Sequence, residues 1–152
     1  MSLLRAGSAN APRQNPARQI MCRDGSKPRI LFAEDSYAAR TLTAALLTKM
    51  GCEVDAVEHG EHALSHASEH TYDLILLDIE MPVMDGVCAA RKIRELGGKP
   101  AHVPIMALSA FLADTAKVAS IRNEFDSALA KPAGREALHD AIQTMLDAGG
   151  TR

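Results

Sequence analysis

Four consecutive aliphatic residues, Leu74 to Leu77, run directly into Asp78, and Pro82 and the pair Asp85-Gly86 follow at once. The run is too short for a helix and has no polar residue to offer a solvent face. It therefore reads as the central strand of a parallel sheet covered on both sides. Asp78 stands at the carboxyl end of that strand, and open α/β sheets place their chemistry in the crevice beyond the strand ends. Pro82 prevents the strand from continuing, and Asp85-Gly86 supplies a turn that opens a helix. One carboxylate is thereby fixed on a rigid strand with a stiff loop behind it.

The remaining chain falls into alternating units around this strand. Residues 1–27 are rich in Ala, Arg, Ser, Asn, Gln, Gly and Pro with no apolar period, so they read as a disordered basic tail, with order beginning at Pro28. Arg29 to Ala33 is a strand ending in Glu34-Asp35, and Ser36 caps a helix carrying Ala39, Leu42, Leu46 and Met50 on one face. Gly51 ends that helix in a left-handed turn. Glu53 to Val57 alternates as an edge strand, and Gly60 to Glu69 is a short helix burying Ala63, Leu64 and Ala67. After the central strand comes a helix with Ala89, Ile93 and Leu96 on one face, closed by Gly97-Gly98 and Pro100. Val103 to Leu108 is a fourth strand ending in Ser109, and a helix is expected within Ala113 to Ile121. Ser127 to Ala130 is a fifth strand ending in Lys131-Pro132, and Arg135 to Leu146 is the last helix. Five strands alternating with five helices imply an α/β fold, a doubly wound five-stranded parallel sheet with right-handed crossovers. Residues 28–148 form one domain, and 149–152 a short tail.

Composition excludes several classes of function. At 152 residues, 47% apolar and 24% charged, the chain suits one globular domain. Its longest apolar stretch, Val103 to Ala113, falls short of a membrane span. Cys22, Cys52 and Cys88 are odd in number and widely spaced, and no secretory signal accompanies them. They read as reduced thiols of a cytoplasmic protein. Residues 1–27 carry Arg5, Arg13, Arg18, Arg23 and Lys27 against Asp24, a net of +4, so an overall charge of −2 leaves −6 on the rest. An acidic body argues against nucleic-acid binding by the folded part. His59, His62, His66 and His70 share one helical face; with no suitable acidic or Cys partner, they read as a titrating surface patch rather than a metal site.

The strand ends bring chemistry to one edge. The first strand supplies Glu34 and Asp35, the third Asp78, the fourth Ser109 and the fifth Lys131. Three carboxylates so placed repel one another, which calls for protons or a cation at neutral pH. Mg²⁺ suits such a site, because it accepts one or two carboxylates and a phosphate oxygen while keeping waters. Lys131 and Ser109 then offer a fixed charge and a hydroxyl donor to an oxyanion such as phosphate, with little expected role for Lys131 in the fold itself. Each residue also has a plainer reading: Glu34-Asp35 and Ser109 as helix or turn caps, and Lys131 as a surface lysine beside a turn proline.

Glu34-Asp35, DIEMPVMDG from Asp78, Ser109-Ala110 and Lys131-Pro132, in this order and spacing, resemble the receiver domain of two-component response regulators. The resemblance covers about residues 28–148 and implies a flavodoxin-like sheet of strand order 2-1-3-4-5. It further implies that Asp78 is the phosphoacceptor, and that Asp35, Asp78 and the backbone carbonyl of Glu80 bind Mg²⁺, with Glu34 acting through a water. Lys131, preceding a cis peptide bond to Pro132, would hold the phosphoryl group, and Ser109 would close on it. The donor would be a phosphohistidine on a histidine kinase or histidine phosphotransfer protein. The chain would be a switch rather than a turnover enzyme, either standing alone or belonging to a hybrid histidine kinase.

Three positions depart from the family pattern. Ala128 stands where an aromatic ring usually couples the site to the fifth strand. Glu124 and Phe125 occupy a turn where Gly-Ala is common, which suggests strain there. Glu80 and Phe111, each two residues beyond a site residue, flank the path of water to a phosphoaspartate. Two rival readings follow: a small Mg²⁺-dependent phosphatase with Asp78 as nucleophile and Glu80 as a poor general acid, and a receiver-like scaffold that works without phosphorylation.

Overall fold

A computed structural model of the chain describes residues 19–112, 119 and 123–148. Five strands, β1 (Arg29–Ala33), β2 (Glu53–Val57), β3 (Leu74–Asp78), β4 (Ile105–Ser109) and β5 (Ser127–Ala130), form one sheet of order β2-β1-β3-β4-β5. Every neighbouring pair is parallel. Among the described residues there are four α-helices: α1 (Tyr37–Lys49), α2 (Gly60–Glu69), α3 (Gly86–Glu95) and α4 (Arg135–Asp147). The fifth helix expected within Ala113 to Ile121 lies outside the described residues except for residue 119, which is helical. None of the described helices is long and apolar enough to cross a membrane.

Strand alternation divides the core in two. Leu31, Ala33, Ile75, Leu77, Ile105 and Ala107 face α2 and α3, where Ala63, Ala67, Ala89, Ala90 and Ile93 are buried against them. Ile30, Phe32, Leu74, Leu76, Met106 and Leu108 face the other way, onto Leu47 and Met50 of α1 and its C-terminus and Leu138 and Ile142 of α4. Every residue of β3 and β4 is buried, as a strand covered on both sides requires. Burying each Leu or Ile of these strands stabilises the fold by roughly 2 kcal/mol.

Local chemistry sets the helix ends. Ser36 caps α1 by accepting from the amide of Ala39 at 3.3 Å, and Asp85 caps α3 by accepting from Cys88 at 2.8 Å. Gly51 adopts φ +95° after α1, the left-handed turn expected of it.

Three details differ from the sequence reading. Leu42 is 64% exposed, and Leu47 carries the buried face of α1 instead. Packing starts before Pro28: Ile20 is buried in the second half of the core, its amide donates to Met50 O at 2.7 Å, and the Gln143 side-chain amide bonds both the N–H and the C=O of Met21. Three apolar residues, Ile20 to Cys22, in a polar stretch gave no periodic signal of this. At the Glu124-Phe125 turn no residue has positive φ; Phe125 is buried in the core, and Glu124 pairs with Arg91 at 3.3 Å. The left-handed non-glycine backbone lies elsewhere, at Val83, with φ 69°.

Candidate functional site

Parallel register brings the site together. Ala33 pairs with Leu77 and Asp78 with Leu108, so Glu34 and Asp35 emerge beside Asp78 at the point where the chain's winding reverses between β1 and β3. On the other flank Ser109 pairs with Ala130, and the Lys131 amide donates to Ser109 O at 2.9 Å. The Lys131–Pro132 peptide bond is cis. Strand ends fixed by their ladders thus deliver Glu34, Asp35, Asp78, Ser109 and Lys131 to one edge.

Gly86 lets α3 approach this edge closely. A Cβ there would lie 2.4 Å from Asp78 O and 2.9 Å from Ile79 Cα, so only glycine fits the helix start against the backbone of β3. Arg40, which sequence reasoning passed over, reaches back from α1 to donate to the carbonyl of Glu34 at 2.9 Å. Its place on the first turns of the helix after Glu34-Asp35 was the only available signal.

The electrostatics are crowded. Asp78 is 1% exposed and Glu34 2%, and a single ammonium serves both: Lys131 Nζ lies 2.9 Å from Glu34 Oε1 and 3.2 Å from Asp78 Oδ2. Glu34 is the better satisfied of the two, since its Oε2 also accepts from the Ser36 amide at 3.0 Å. Burial pushes the Glu34 carboxyl upward, but the hydrogen bonds from Lys131 and Ser36 prevail and hold it below its usual range. Asp78 fares worse. Burial first, and the charge of Glu34 second, push it up to about 7, against the lowering influence of Lys131. Its Oδ1 accepts from the Glu80 amide at 3.1 Å, whereas Oδ2, buried, has Lys131 at ion-pair distance but no aligned hydrogen bond. Lys131 is held above its usual range by these two acids, although burial opposes this. Its ammonium ties the ends of β1 and β3 to the end of β5.

Carboxylate oxygens of Glu34, Asp35 and Asp78 all lie within 4.8 Å of one another, with Asp35 exposed. Hard oxygen donors, an excess of negative charge and an under-satisfied Asp78 oxygen fit a divalent cation such as Mg²⁺. The histidine stripe gathers no such set among the described residues: the His59 and His62 rings lie 4.0 Å apart, while His66 Nδ1 bonds the carbonyl of His62 at 2.9 Å. The three cysteines are free, and burial pushes Cys52 up to about 11.

Glu80 turns its side chain toward the end of β4. Its carboxylate accepts from Ser109 Oγ at 2.8 Å through Oε2 and from the Ala110 amide at 3.2 Å through Oε1. Ser109 is 1% exposed, and its Oγ also accepts from the Phe111 amide at 3.0 Å. Phe111 itself is 52% exposed, and Ala128 is exposed on β5.

Known proteins are similar to this chain over most of its length. The chain is 35% identical over 117 residues to the sensor protein GacS of Pseudomonas syringae pv. syringae, covering 76% of this chain and 13% of that protein. It is 32% identical over 124 residues to hybrid signal transduction histidine kinase I of Dictyostelium discoideum, covering 78% of this chain and 7% of that one. It therefore spans a small part of either relative. Among solved structures, the receiver domain of a sensor histidine kinase from Pseudomonas aeruginosa PAO1, with magnesium coordinated in its active-site cleft, superposes with a TM-score of 0.75. That domain is 32% identical, and the match covers 80% of this chain and 99% of the other. The family model described as the response regulator receiver domain matches residues 30–143. With its sheet order and the acids gathered at the switch point, the chain belongs to the receiver domains of two-component signalling.

Proposed function

We propose that Asp78 accepts a phosphoryl group from a phosphohistidine, carried by a histidine kinase or a histidine phosphotransfer protein, and that the modified domain switches a protein interaction. One observation carries this reading: Asp78 is buried at the strand end between a second acid and a fixed ammonium, and of the two buried carboxylates it is the one whose charge the protein leaves less well compensated. In the transfer, an Asp78 oxygen forms the new O–P bond as the N–P bond breaks. The histidine nitrogen keeps the electron pair and takes up a proton. Such transfers need positioning and charge neutralisation more than covalent help.

Asp35, Asp78 and the Glu80 backbone carbonyl would hold Mg²⁺, with Glu34 behind a metal-bound water. When bound, the ion supplies positive charge that keeps Asp78 ionised and neutralises phosphoryl oxygens. Lys131, already 3.2 Å from Asp78, supplies a second cation, and Ser109 Oγ and the Ala110 amide are donors for the remaining oxygens. The domain acts by occupancy of Asp78 and does not turn over a small substrate. The reading places it in the cytoplasm beside its kinase.

Intact mass after incubation with acetyl phosphate and Mg²⁺ tests this. One added phosphoryl group is expected on the wild type and none on Asp78→Asn. Equal labelling of both proteins, or rapid multiple turnover of a small phosphomonoester, would refute it.

A further inference from the structure

Two of the donors assigned above to a phosphoryl group on Asp78 are already in use. One carboxylate, that of Glu80, grips both: Oε2 at 2.8 Å from Ser109 Oγ and Oε1 at 3.2 Å from the Ala110 amide. Two oxygens of one anion on a hydroxyl and the next amide are what an oxyanion makes of such a pair. The amide of Glu80 donates to Asp78 Oδ1 at 3.1 Å, so the chain linking grip and acceptor is only two residues long and pinned at the acceptor. The site's ammonium is not available to Glu80, since Lys131 lies against Glu34 and Asp78.

We propose that Glu80 is an internal anion that occupies the phosphoryl donor pair in the unmodified protein, and that phosphorylation of Asp78 proceeds by displacing this carboxylate from Ser109 and Ala110. The proposal rests on the reading of Asp78 as phosphoacceptor. It differs from a swing of the hydroxyl toward the phosphate, because Ser109, 1% exposed, already faces an anion. A phosphoryl dianion and the Glu80 carboxylate cannot share two donors. Their like charges repel at this range in a partly buried site. Glu80 is only half-buried, so it has solvent to turn into when it is displaced. Removing its charge weakens its hold on the donor pair and truncating it to alanine opens the pair, and neither change touches the groups of the Asp78–Lys131–Glu34 contacts.

The test compares wild type with Glu80→Gln, Glu80→Ala, Ser109→Ala and the double variant Glu80→Ala/Ser109→Ala. Binding of beryllofluoride in the presence of Mg²⁺ is followed by amide NMR, and amide exchange at Ala110 is read in metal-free protein. Both Glu80 variants are expected to bind beryllofluoride at least tenfold more tightly than wild type, the scale of one charge-assisted hydrogen bond. The gain should shrink in the Ser109→Ala background, since the pair acts as a unit. Metal-free Glu80→Ala should exchange the Ala110 amide faster. Unchanged or weaker beryllofluoride binding by both Glu80 variants, with wild type binding normally, would overturn the displacement and leave Asp78 as acceptor untouched. If neither wild type nor any variant binds beryllofluoride or takes up a phosphoryl group, the acceptor reading falls and the displacement with it.

Discussion

Asp78→Asn should make the metal-free protein more stable at pH 8, even though it removes the central residue of the site. Two buried acids share one ammonium here, and Glu34 holds it at 2.9 Å with a second hydrogen bond from Ser36, so Asp78 carries the surplus charge. Its carboxyl rises from an ordinary 3.8 to about 7 on folding. Between those values the folded state binds more protons than the unfolded one, so this group lowers stability as pH rises through that window. Above it the full cost is about 4 kcal/mol, at 1.36 kcal/mol per pH unit, as a ceiling. Asparagine escapes this cost but turns an amide toward Lys131, which offsets part of the gain, leaving on the order of 2 kcal/mol. Glu34, held low, contributes stability of the opposite sign that is lost only as pH falls, below the window in which Asp78 titrates. Urea unfolding in EDTA at pH 5, 6.5 and 8 reads the effect. The advantage of the variant should be greatest at pH 8 and less than half as large at pH 5. Millimolar Mg²⁺ should restore the wild type while leaving the variant nearly unchanged. A variant no more stable than wild type at pH 8, or an advantage independent of pH, would refute the surplus-charge argument.

Lys131→Ala should cost about 3 kcal/mol at pH 8 in metal-free urea melts, since Glu34 and Asp78 lose their one shared ammonium, and less at pH 5.5, where Asp78 takes a proton; a loss that does not depend on pH would place the cost in packing instead. Gly86→Ala should destabilise by about 3 kcal/mol although alanine favours helices, because the new Cβ would sit 2.4 Å from Asp78 O. Thermal melting of that variant should fall by several degrees, and a rise would show that α3 moves freely. Val83→Gly should raise stability by roughly 0.5–1 kcal/mol: the side chain is 90% exposed and packs on little, while its φ of 69° is strained for a β-branched residue. A chemical melt of Val83→Gly that shows a loss would refute this.

Much of the site was legible because it sits on strand ends. A buried parallel strand announces itself as an unbroken apolar run, so Leu74–Leu77 located Asp78, and the same logic located Glu34 and Ser109; Lys131 was marked instead by the short strand before it and the proline after it. Parallel register then leaves little freedom in how those residues meet. What escaped sequence reasoning depends on side-chain direction or on isolated residues. Leu42 and Leu47 both suit an apolar helix face, and only the packed rotation of α1 chooses Leu47. Ile20 opens a run of only three apolar residues, Ile20 to Cys22, in a polar stretch, too short for a period to mark it. Glu80 was visible as a residue near the water path, but which way its carboxylate turned depended on donors 29 and 30 residues away in sequence.

The way the signal leaves the site follows from the same contacts. Where family members carry a ring on the fifth strand, this chain has Ala128, exposed, so β5 offers no ring to follow a change at Ser109. The loop after β4 does. Ser109 Oγ donates to Glu80 and accepts from the Phe111 amide at 3.0 Å, so any shift of that oxygen pulls on the backbone bearing a 52% exposed phenyl ring. A ligand shifts two states only through contacts that differ between them, and here those contacts lie at Ser109, Ala110 and Phe111. Amide exchange with and without beryllofluoride should therefore change at residues 109–112 and stay nearly constant at 127–130. Phe111→Ala should weaken binding of a partner specific for the phosphorylated form without reducing labelling of Asp78. Exchange changes centred on 127–130 with 109–112 silent would show that the route runs through β5 after all, by backbone movement that needs no ring.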